Sequence, residues 1–316
     1  MKQLLSRIYR RVRRTISVNR RIKNSQWYHN VFPHLEEYEA IQRNSDIICI
    51  GSTPAKFAID FHGIDGIKGS NLATLPETVY YDFQVVKNYH SYLKKNGVII
   101  SVLCPFSFLK ERYTSDDDNK NYLNIRYYPI LHRALIDSFD YSLFDKWVEN
   151  PYKIGLKAWI RAFNDAPKSK ALLQDVNELS DDEMKVHAQQ RINGWMDEFG
   201  LSCLDPEDGR FSVLQNTINH NTSIYKQLLE FAQERSYRFL VVIPPFSKEL
   251  SALIPDCFVQ AALLEPLKKI GVQYISYLCD DKWSQKDFFI DSFMMNKNGR
   301  MRLTRDIVER LKKKYN

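Results

Sequence analysis

The chain has 316 residues, a net charge of +7 and 44 % hydrophobic residues, so it can bury one large hydrophobic core or two modest ones. No stretch approaches the roughly 20 apolar residues of a membrane-spanning helix, and the N-terminus lacks the apolar segment of a secretory signal. The five cysteines are widely spaced, and Cys49, Cys104 and Cys257 have apolar neighbours, which predicts reduced, buried thiols in a cytoplasmic protein. Because no cysteine pair has zinc-ligand spacing, we expect no metal site.

The chain begins with a basic arm, residues 1–44, whose first 23 residues contain nine Lys or Arg and no acid. Apolar residues recur there every fourth position and would line one face of a helix, namely Leu4, Ile8, Val12 and Ile16. Such a helix suits the surface of an anionic bilayer, or it packs by its apolar stripe on the rest of the protein. A transit peptide is a further alternative. Specific nucleic-acid binding is not expected, since no aromatic-rich binding module follows the arm.

From residue 45 onward, apolar runs alternate with helical patterns. The predicted strands span 46–51, 66–73, 98–106, 239–246 and 272–278. The predicted helices include one from about residue 54, one that ends at Gly97, one capped by Asn221 or Thr222, and one that closes the chain after Gly299. This alternation predicts an α/β fold, a three-layer α/β/α sandwich with a mostly parallel five-stranded sheet. We expect residues 45–316 to form a single domain, with a helical insertion at about 110–212 that acts as a lid.

The first strand leads directly into Gly51-Ser52-Thr53-Pro54 and a helix. Ligands of open α/β sheets bind beyond the carboxyl ends of the strands, and Ser52 stands at such an end. Ser52 is therefore either a helix cap without chemistry or a functional hydroxyl at a helix N-terminus. A nucleotide cofactor is not expected, because the seven residues after Gly51 contain no second glycine and the chain has no phosphate-binding loop.

Three segments together resemble the SGNH/GDSL hydrolase superfamily, and within it the branch found with polysaccharide O-acylation proteins. They are "CIGSTPA" at the first strand, "GSNLA" at the second, and "DSFMMNKNG" before the last helix. The resemblance covers roughly 45–110 and 215–310. It implies that Ser52 is the nucleophile, that Asn71 is an oxyanion donor and that Asp291 is the acid of a catalytic triad.

The chain departs from this family at the triad histidine, whose position is occupied by Met294. A serine hydroxyl needs a base to become a nucleophile, and methionine cannot take or return a proton. Another histidine could supply the base, and the spacing does not select among the three candidates, His62, His132 and His220. Alternatively, Ser52 holds a sugar or phosphate, or the fold binds a ligand after catalysis was lost.

The resemblance implies an esterase or O-acyltransferase that acts on a carbohydrate during bacterial surface-polysaccharide (capsule) biosynthesis. The expected partners are a carbohydrate or acyl-donor substrate and, through residues 1–23, an anionic membrane surface at the inner face of the membrane. The rival hypotheses are a catalytically degenerate protein of the same fold that binds or scaffolds, and a transferase that uses a sugar or phosphate donor.

Overall fold

The computed structural model describes residues 37–38, 40–74, 78–110, 127, 130–137 and 179–315. The chain divides into two compact units, 1–39 with 115–172 and 40–114 with 173–316. Most of the basic arm, including residues 1–23, lies outside the described residues, as do residues 111–126, 128–129 and 138–178 of the predicted insertion. The boundary predicted at residue 44 stays a prediction.

The larger unit is built on one five-stranded parallel sheet. Its strands are β1 (Ser45–Gly51), β2 (Gly69–Asn71), β3 (Leu93–Val102), β4 (Arg238–Ile243) and β5 (Tyr274–Ser276). Their order is β2-β1-β3-β4-β5, and every neighbouring pair is parallel. This sheet confirms the predicted α/β fold with a five-stranded parallel sheet.

Helices cover both faces of the sheet, as buried parallel strands require. The principal helices are α1 (Thr53–Ala58), α2 (Val79–Tyr89), α3 (Asp181–Phe199), α4 (Gly209–Glu234) and, at the end of the chain, the long helix Lys297–Tyr315. Between α4 and that last helix lie three short ones, α5 (Lys248–Ser251), α6 (Asp256–Val259) and α7 (Glu265–Lys269), so the last is α8. A π-helical turn, Gln260–Leu264, joins α6 to α7.

The two faces of the sheet carry different helices. On one face, α1 and α8 share a core with alternate strand residues such as Cys49, Ile100 and Val242, all fully buried. On the other face, α2 and α4 pack together, α2 against β1 and α4 against β4. The Tyr225 ring on α4 meets the Phe239 ring of β4 edge-on, with centroids 5.7 Å apart. The result is the three-layer sandwich that the alternation of strands and helices predicts.

The helix predicted to end at Gly97 is shorter in the structure. It ends at Tyr89, and β3 begins at Leu93. Ser45 pairs with Leu93 and Ile47 with Val98, so β3 advances five residues while β1 advances two. The extra residues form a bulge, in which Asn96 has a positive φ of 58°. The glycine that suggested a helix end therefore belongs to an irregular strand start.

The helix predicted to begin at Asn221 or Thr222 begins at Gly209 instead. Asp208 caps it, with its carboxylate accepting a hydrogen bond from the Arg210 N–H at 2.8 Å. Asn221 lies inside the helix, and its buried amide donates to the carbonyls of Phe108 and Lys110. This side chain ties the segment after β3 to α4, a long-range role that local cap chemistry does not reveal.

The cysteine prediction is partly wrong. Cys49 and Cys104 are buried and free, as expected, but Cys257 is exposed. It lies in the single turn of α6, where its neighbours Phe258 and Val259 carry the buried face. Apolar neighbours in sequence indicate burial only when the residue shares their face of the helix.

Little of the smaller unit is described. Tyr38, Tyr127, Ile130, Leu131 and Ile136 are buried. A single 3₁₀ turn, Arg133–Leu135, follows His132, whose Nδ1 accepts a hydrogen bond from the Ala134 N–H at 3.3 Å.

Candidate ligand-binding site

A cleft of about 230 Å³ opens at the carboxyl ends of β1 and β3. It is lined by Ser52, directly after β1, and at the end of β3 by Val102, Leu103, Cys104 and Phe106. The chain runs from β1 outward to β2 and then returns to place β3 on the other side of β1. The gap between β1 and β3 is thus the point at which the strand order reverses, where open α/β sheets bind their ligands.

A sharp turn delivers Ser52 to this cleft. Gly51 has φ +131°, and a Cβ at that position would lie 2.5 Å from the Val102 carbonyl oxygen. Only glycine allows β1 to approach β3 so closely and then turn into α1. Ser52 occupies the N-cap position of α1, but its side chain does not make the capping hydrogen bond. The hydroxyl is half-buried and lines the cleft, so Ser52 is not simply a helix cap.

Asn71 has a structural role at the end of β2. Its amide nitrogen donates to the carbonyls of Ala55, at 2.9 Å, and Ile59, at 2.8 Å. Its amide oxygen accepts a hydrogen bond from the Ala73 N–H at 3.1 Å. Both amide protons are used to hold the last turn of α1, and Asn71 is not among the described residues that line the cleft. An oxyanion would have to displace one of these carbonyls.

Asp291 organises the turn before α8. Its Oδ1 accepts hydrogen bonds from the backbone N–H groups of Phe293, at 2.8 Å, and Met294, at 2.7 Å. The turn is closed by a hydrogen bond from the Ile290 N–H to the Met294 carbonyl at 2.7 Å. This geometry places the Phe293 side chain in the wall of the cleft. Asp291 itself is 7 % exposed and is not among the described lining residues.

The remaining residues of the last motif, Asn296 and Gly299, have structural roles. The Asn296 amide oxygen accepts a hydrogen bond from the Gly299 N–H at 2.9 Å, as a helix cap does at the start of α8. Its amide nitrogen donates to the Asp287 carbonyl at 2.7 Å. A Cβ on Gly299 would lie 2.4 Å from the Phe288 carbonyl oxygen. Asn296 and Gly299 therefore need no catalytic role to account for their presence.

A histidine that sequence reasoning missed lies against Asp291. His187 on α3 has its Nε2 atom 3.6 Å from Asp291 Oδ2 and its Nδ1 atom 2.8 Å from Ser292 Oγ. Ser292 is fully buried, so its hydroxyl is closed to a substrate. The Ser292–His187–Asp291 group has the atom types of a triad, but its serine is inaccessible. Its evident role is to dock α3 onto the turn before α8.

Helix α3 forms one wall of the cleft. Arg191, Trp195, Glu198 and Phe199 line it from successive turns. Trp195 stacks on Phe106 with centroids 4.3 Å apart and also meets the Phe293 ring edge-on. Glu198 pairs with Lys110 at 2.7 Å. Part of the predicted insertion is therefore a fixed wall of the cleft, held by aromatic packing and an ion pair.

Cys104 is a nucleophilic side chain that lines this cleft just after β3. Burial raises the pKa of its thiol, which keeps it protonated at neutral pH. The Ser107 hydroxyl lies 3.6 Å from the sulfur and also accepts a hydrogen bond from the Cys104 N–H at 2.9 Å. A protonated, buried thiol is a poor nucleophile. Cys104 therefore contributes shape to the cleft rather than reactivity.

Neither a scan against models of known protein families nor a search of curated proteins finds a match to this chain.

The three histidines predicted as possible bases, His62, His132 and His220, are not among the described residues that line the cleft. The His62 Nδ1 atom is 2.8 Å from Asp60 Oδ1 on an exposed loop, and its side chain is 82 % exposed. His220 is exposed on α4, and His132 belongs to the smaller unit. Among the described residues that line the cleft there is no histidine.

One signal in the sequence could have drawn attention to α3. His187, Arg191 and Trp195 are spaced four residues apart, so they share one face of a helix. The capping box formed by Ser180 and Glu183 marks where that helix begins. The sequence cannot show that this face meets the cleft, because that contact joins α3 to residues about a hundred positions away.

In the part of the chain that the structure describes, no group of three or more His, Cys, Asp or Glu side chains is arranged to hold a metal ion. Nor does any helix in that part have the length and apolar character needed to cross a bilayer.

Proposed function

We propose that this protein binds a carbohydrate in the cleft between β1 and β3, and that Ser52 contacts the ligand instead of attacking it. In this proposal it is a binding component of SGNH-like fold in bacterial surface-polysaccharide assembly. The observation that carries the proposal is the composition of the cleft. It lies where the strand order reverses and contains a serine hydroxyl, yet no histidine lines it among the described residues.

The geometry of the expected catalytic residues favours binding over hydrolysis. Met294 cannot act as a base, and the amide protons of Asn71 are held by two carbonyls. One oxygen of Asp291 accepts two backbone hydrogen bonds. In a serine protease, loss of the triad histidine lowers turnover about a millionfold, so a site without a base would retain little activity.

The walls of the cleft suit a sugar ring. The half-buried aromatic residues Trp195 and Phe199 line the same cleft as the hydroxyl-bearing residues Ser52 and Thr53. Ligand sites of this kind combine apolar rings with a few polar groups that fix orientation. The resemblance to polysaccharide O-acylation proteins supports the same ligand class.

Reactivity of Ser52 tests the proposal. The full-length protein and its Ser52→Ala variant are treated with a fluorophosphonate probe and assayed on p-nitrophenyl acetate, with a commercial serine esterase as the positive control. Because no base activates the hydroxyl, we expect no labelling of Ser52 and no ester hydrolysis above the Ser52→Ala background. Labelling of Ser52 to near stoichiometry, absent in Ser52→Ala, would overturn the binding proposal.

One observation favours the second candidate, an esterase or O-acyltransferase with Ser52 as its nucleophile. The His187 Nε2 atom lies 3.6 Å from Asp291 Oδ2, and the His187 side chain is 29 % exposed. The imidazole ring could therefore move slightly and still be oriented by the Asp291 carboxylate, as the base of a triad is. This candidate predicts that the fluorophosphonate labels Ser52 and that His187→Gln abolishes the labelling. The variant Met294→His adds a control, since it returns a base to the position where the resemblance expects one.

A further inference from the structure

We infer that the cleft binds an anionic substituent of its ligand, a carboxylate or phosphate carried on a sugar, and that Arg191 is the residue that holds it. This inference rests on the proposed binding function of the cleft and names the chemistry of the ligand.

Arg191 is a cation without an anionic partner in the part of the chain that the structure describes. Its guanidinium carbon lies 5.0 Å from the centroid of the Phe293 ring, which fixes its position against the wall of the cleft. Its Nε atom is buried and has no hydrogen-bond partner there. A buried donor left unsatisfied costs about 1–3 kcal/mol, and a small movement of the guanidinium toward an incoming oxyanion would remove that cost.

The other charged residues of the cleft are already accounted for. Lys110 and Glu198 form an ion pair at 2.7 Å and neutralise one another. Asp82 is 3 % exposed and lies in the first turn of α2, where the helix dipole favours a carboxylate. Arg191 is therefore the lining cation that remains to face a ligand. Its planar guanidinium can donate two parallel hydrogen bonds to a carboxylate or phosphate.

The neighbours of Arg191 indicate a sugar rather than a free inorganic anion. Trp195 lies one helical turn beyond Arg191 and presents aromatic surface to the same cleft. The Ser52 hydroxyl provides a polar contact at the end of β1. An acidic sugar can use the guanidinium, the ring and the hydroxyl together, whereas an inorganic anion uses only the first.

Matched probe pairs test this inference on the full-length protein. One pair is methyl β-glucuronide and methyl β-glucoside, which differ in a carboxylate, and the other is glucose 6-phosphate and glucose. Binding is followed by NMR through the arginine Nε–H signals, with inorganic phosphate as a separate titration. We expect the acidic member of at least one pair to bind about tenfold more tightly than its neutral counterpart and to shift the Arg191 signal.

Three variants locate the effect. Arg191→Gln should remove the preference for the acidic probe, while Arg191→Lys should keep part of it, because the charge survives but the paired donors do not. The control Lys185→Gln removes a positive charge from an exposed position of the same helix and should leave the preference unchanged. Thermal unfolding of each variant checks that the fold is intact.

The possible outcomes distinguish a failure of this inference from a failure of the proposed carbohydrate binding. Equal binding of acidic and neutral probes, or a preference that persists in Arg191→Gln, would overturn the anionic site while the cleft remains a sugar site. Inorganic phosphate that binds as tightly as glucose 6-phosphate would overturn the role of the sugar. If no probe of either pair binds, both the inference and the proposed function fail.

Discussion

Asn71 shows how a residue can match a family motif and still serve the fold. Its amide makes three hydrogen bonds, two to carbonyls of the α1 segment and one from the Ala73 N–H. The side chain is 6 % exposed, so water cannot replace these bonds. The position therefore holds α1, and with it Ser52, in place on the sheet.

Replacing Asn71 with alanine should lower the free energy of unfolding by about 3 kcal/mol, because buried backbone groups lose their partners. Urea unfolding at pH 7 measures the effect. The control is Asn193→Ala, an exposed position on α3 that should change stability by less than about 0.5 kcal/mol. An Asn71→Ala variant as stable as the parent would show that these bonds contribute little and would reopen a direct role at the cleft.

At the scale of elements, the start of β1 is fastened to its two neighbours by Asp46. Its carboxylate accepts a hydrogen bond from the Lys68 N–H, just before β2, and pairs with the Lys94 ammonium on β3. Burial alone would raise the pKa of Asp46, but these two partners outweigh it and hold the pKa below its usual value of 3.8. The ion pair lies where β3 first joins β1, since Ser45 pairs with Leu93, the residue before Lys94.

The lowered pKa of Asp46 predicts how stability depends on pH. Because the folded pKa lies below the unfolded one, the contribution is complete above about pH 4 and is lost as the pH falls through the folded pKa. Asp46→Asn should therefore destabilise the protein at pH 7, and the difference from the parent should shrink below pH 4. Urea unfolding of both proteins from pH 7 to pH 3 measures it. A difference that is the same at every pH would contradict this account.

Helix α3 is a largely polar helix that becomes part of the site through its contacts with other segments. Lys286 pairs with Asp181 at its first turn and Lys110 with Glu198 at its last. Between them, the rings of Trp195, Phe106 and Phe293 form its apolar contact. Exposed ion pairs stabilise a fold weakly, so the aromatic packing is the main attachment of α3 to the sheet unit.

At the scale of the whole molecule, the excess of positive over negative charge comes from one arm. Residues 1–23 contain nine of the 45 Lys and Arg residues and no acid. We propose that this arm attaches the protein to an anionic membrane surface, where each basic residue near the surface contributes about 1 kcal/mol.

Vesicle sedimentation tests the arm. The full-length protein should sediment with vesicles that contain phosphatidylglycerol but not with neutral phosphatidylcholine vesicles, and 0.5 M salt should release it, because salt screens exposed charges. A variant that lacks residues 1–23 should remain in the supernatant with both. Equal sedimentation of the two proteins, or binding that salt does not weaken, would contradict electrostatic attachment.

The sequence by itself determined the sheet and the position of Ser52. Continuous apolar runs that end in glycine or proline mark buried parallel strands, and this signal is local. Strands β1 and β4 are therefore found close to their predicted positions, whereas β3 overlaps its predicted range but begins five residues earlier. The same local signal did not predict the irregular register at the start of β3 or the full length of α4. Asp46 pairs with Lys94 at the start of β3, and the Asn221 amide inside α4 donates to the carbonyl of Phe108 after β3. Such contacts join segments that are distant in sequence, so a local pattern does not reveal them.

The tertiary structure alone decided what surrounds Ser52. Motif spacing placed Ser52, Asn71 and Asp291 at strand and helix ends, but it could not show that the amide of Asn71 is held by α1 or that Asp291 serves a turn. Nor could it bring Arg191 and Trp195 to the cleft, since α3 reaches β3 and the turn before α8 only when the chain is folded. Strand and helix patterns arise from neighbouring residues, whereas a site is made of side chains that only packing brings together.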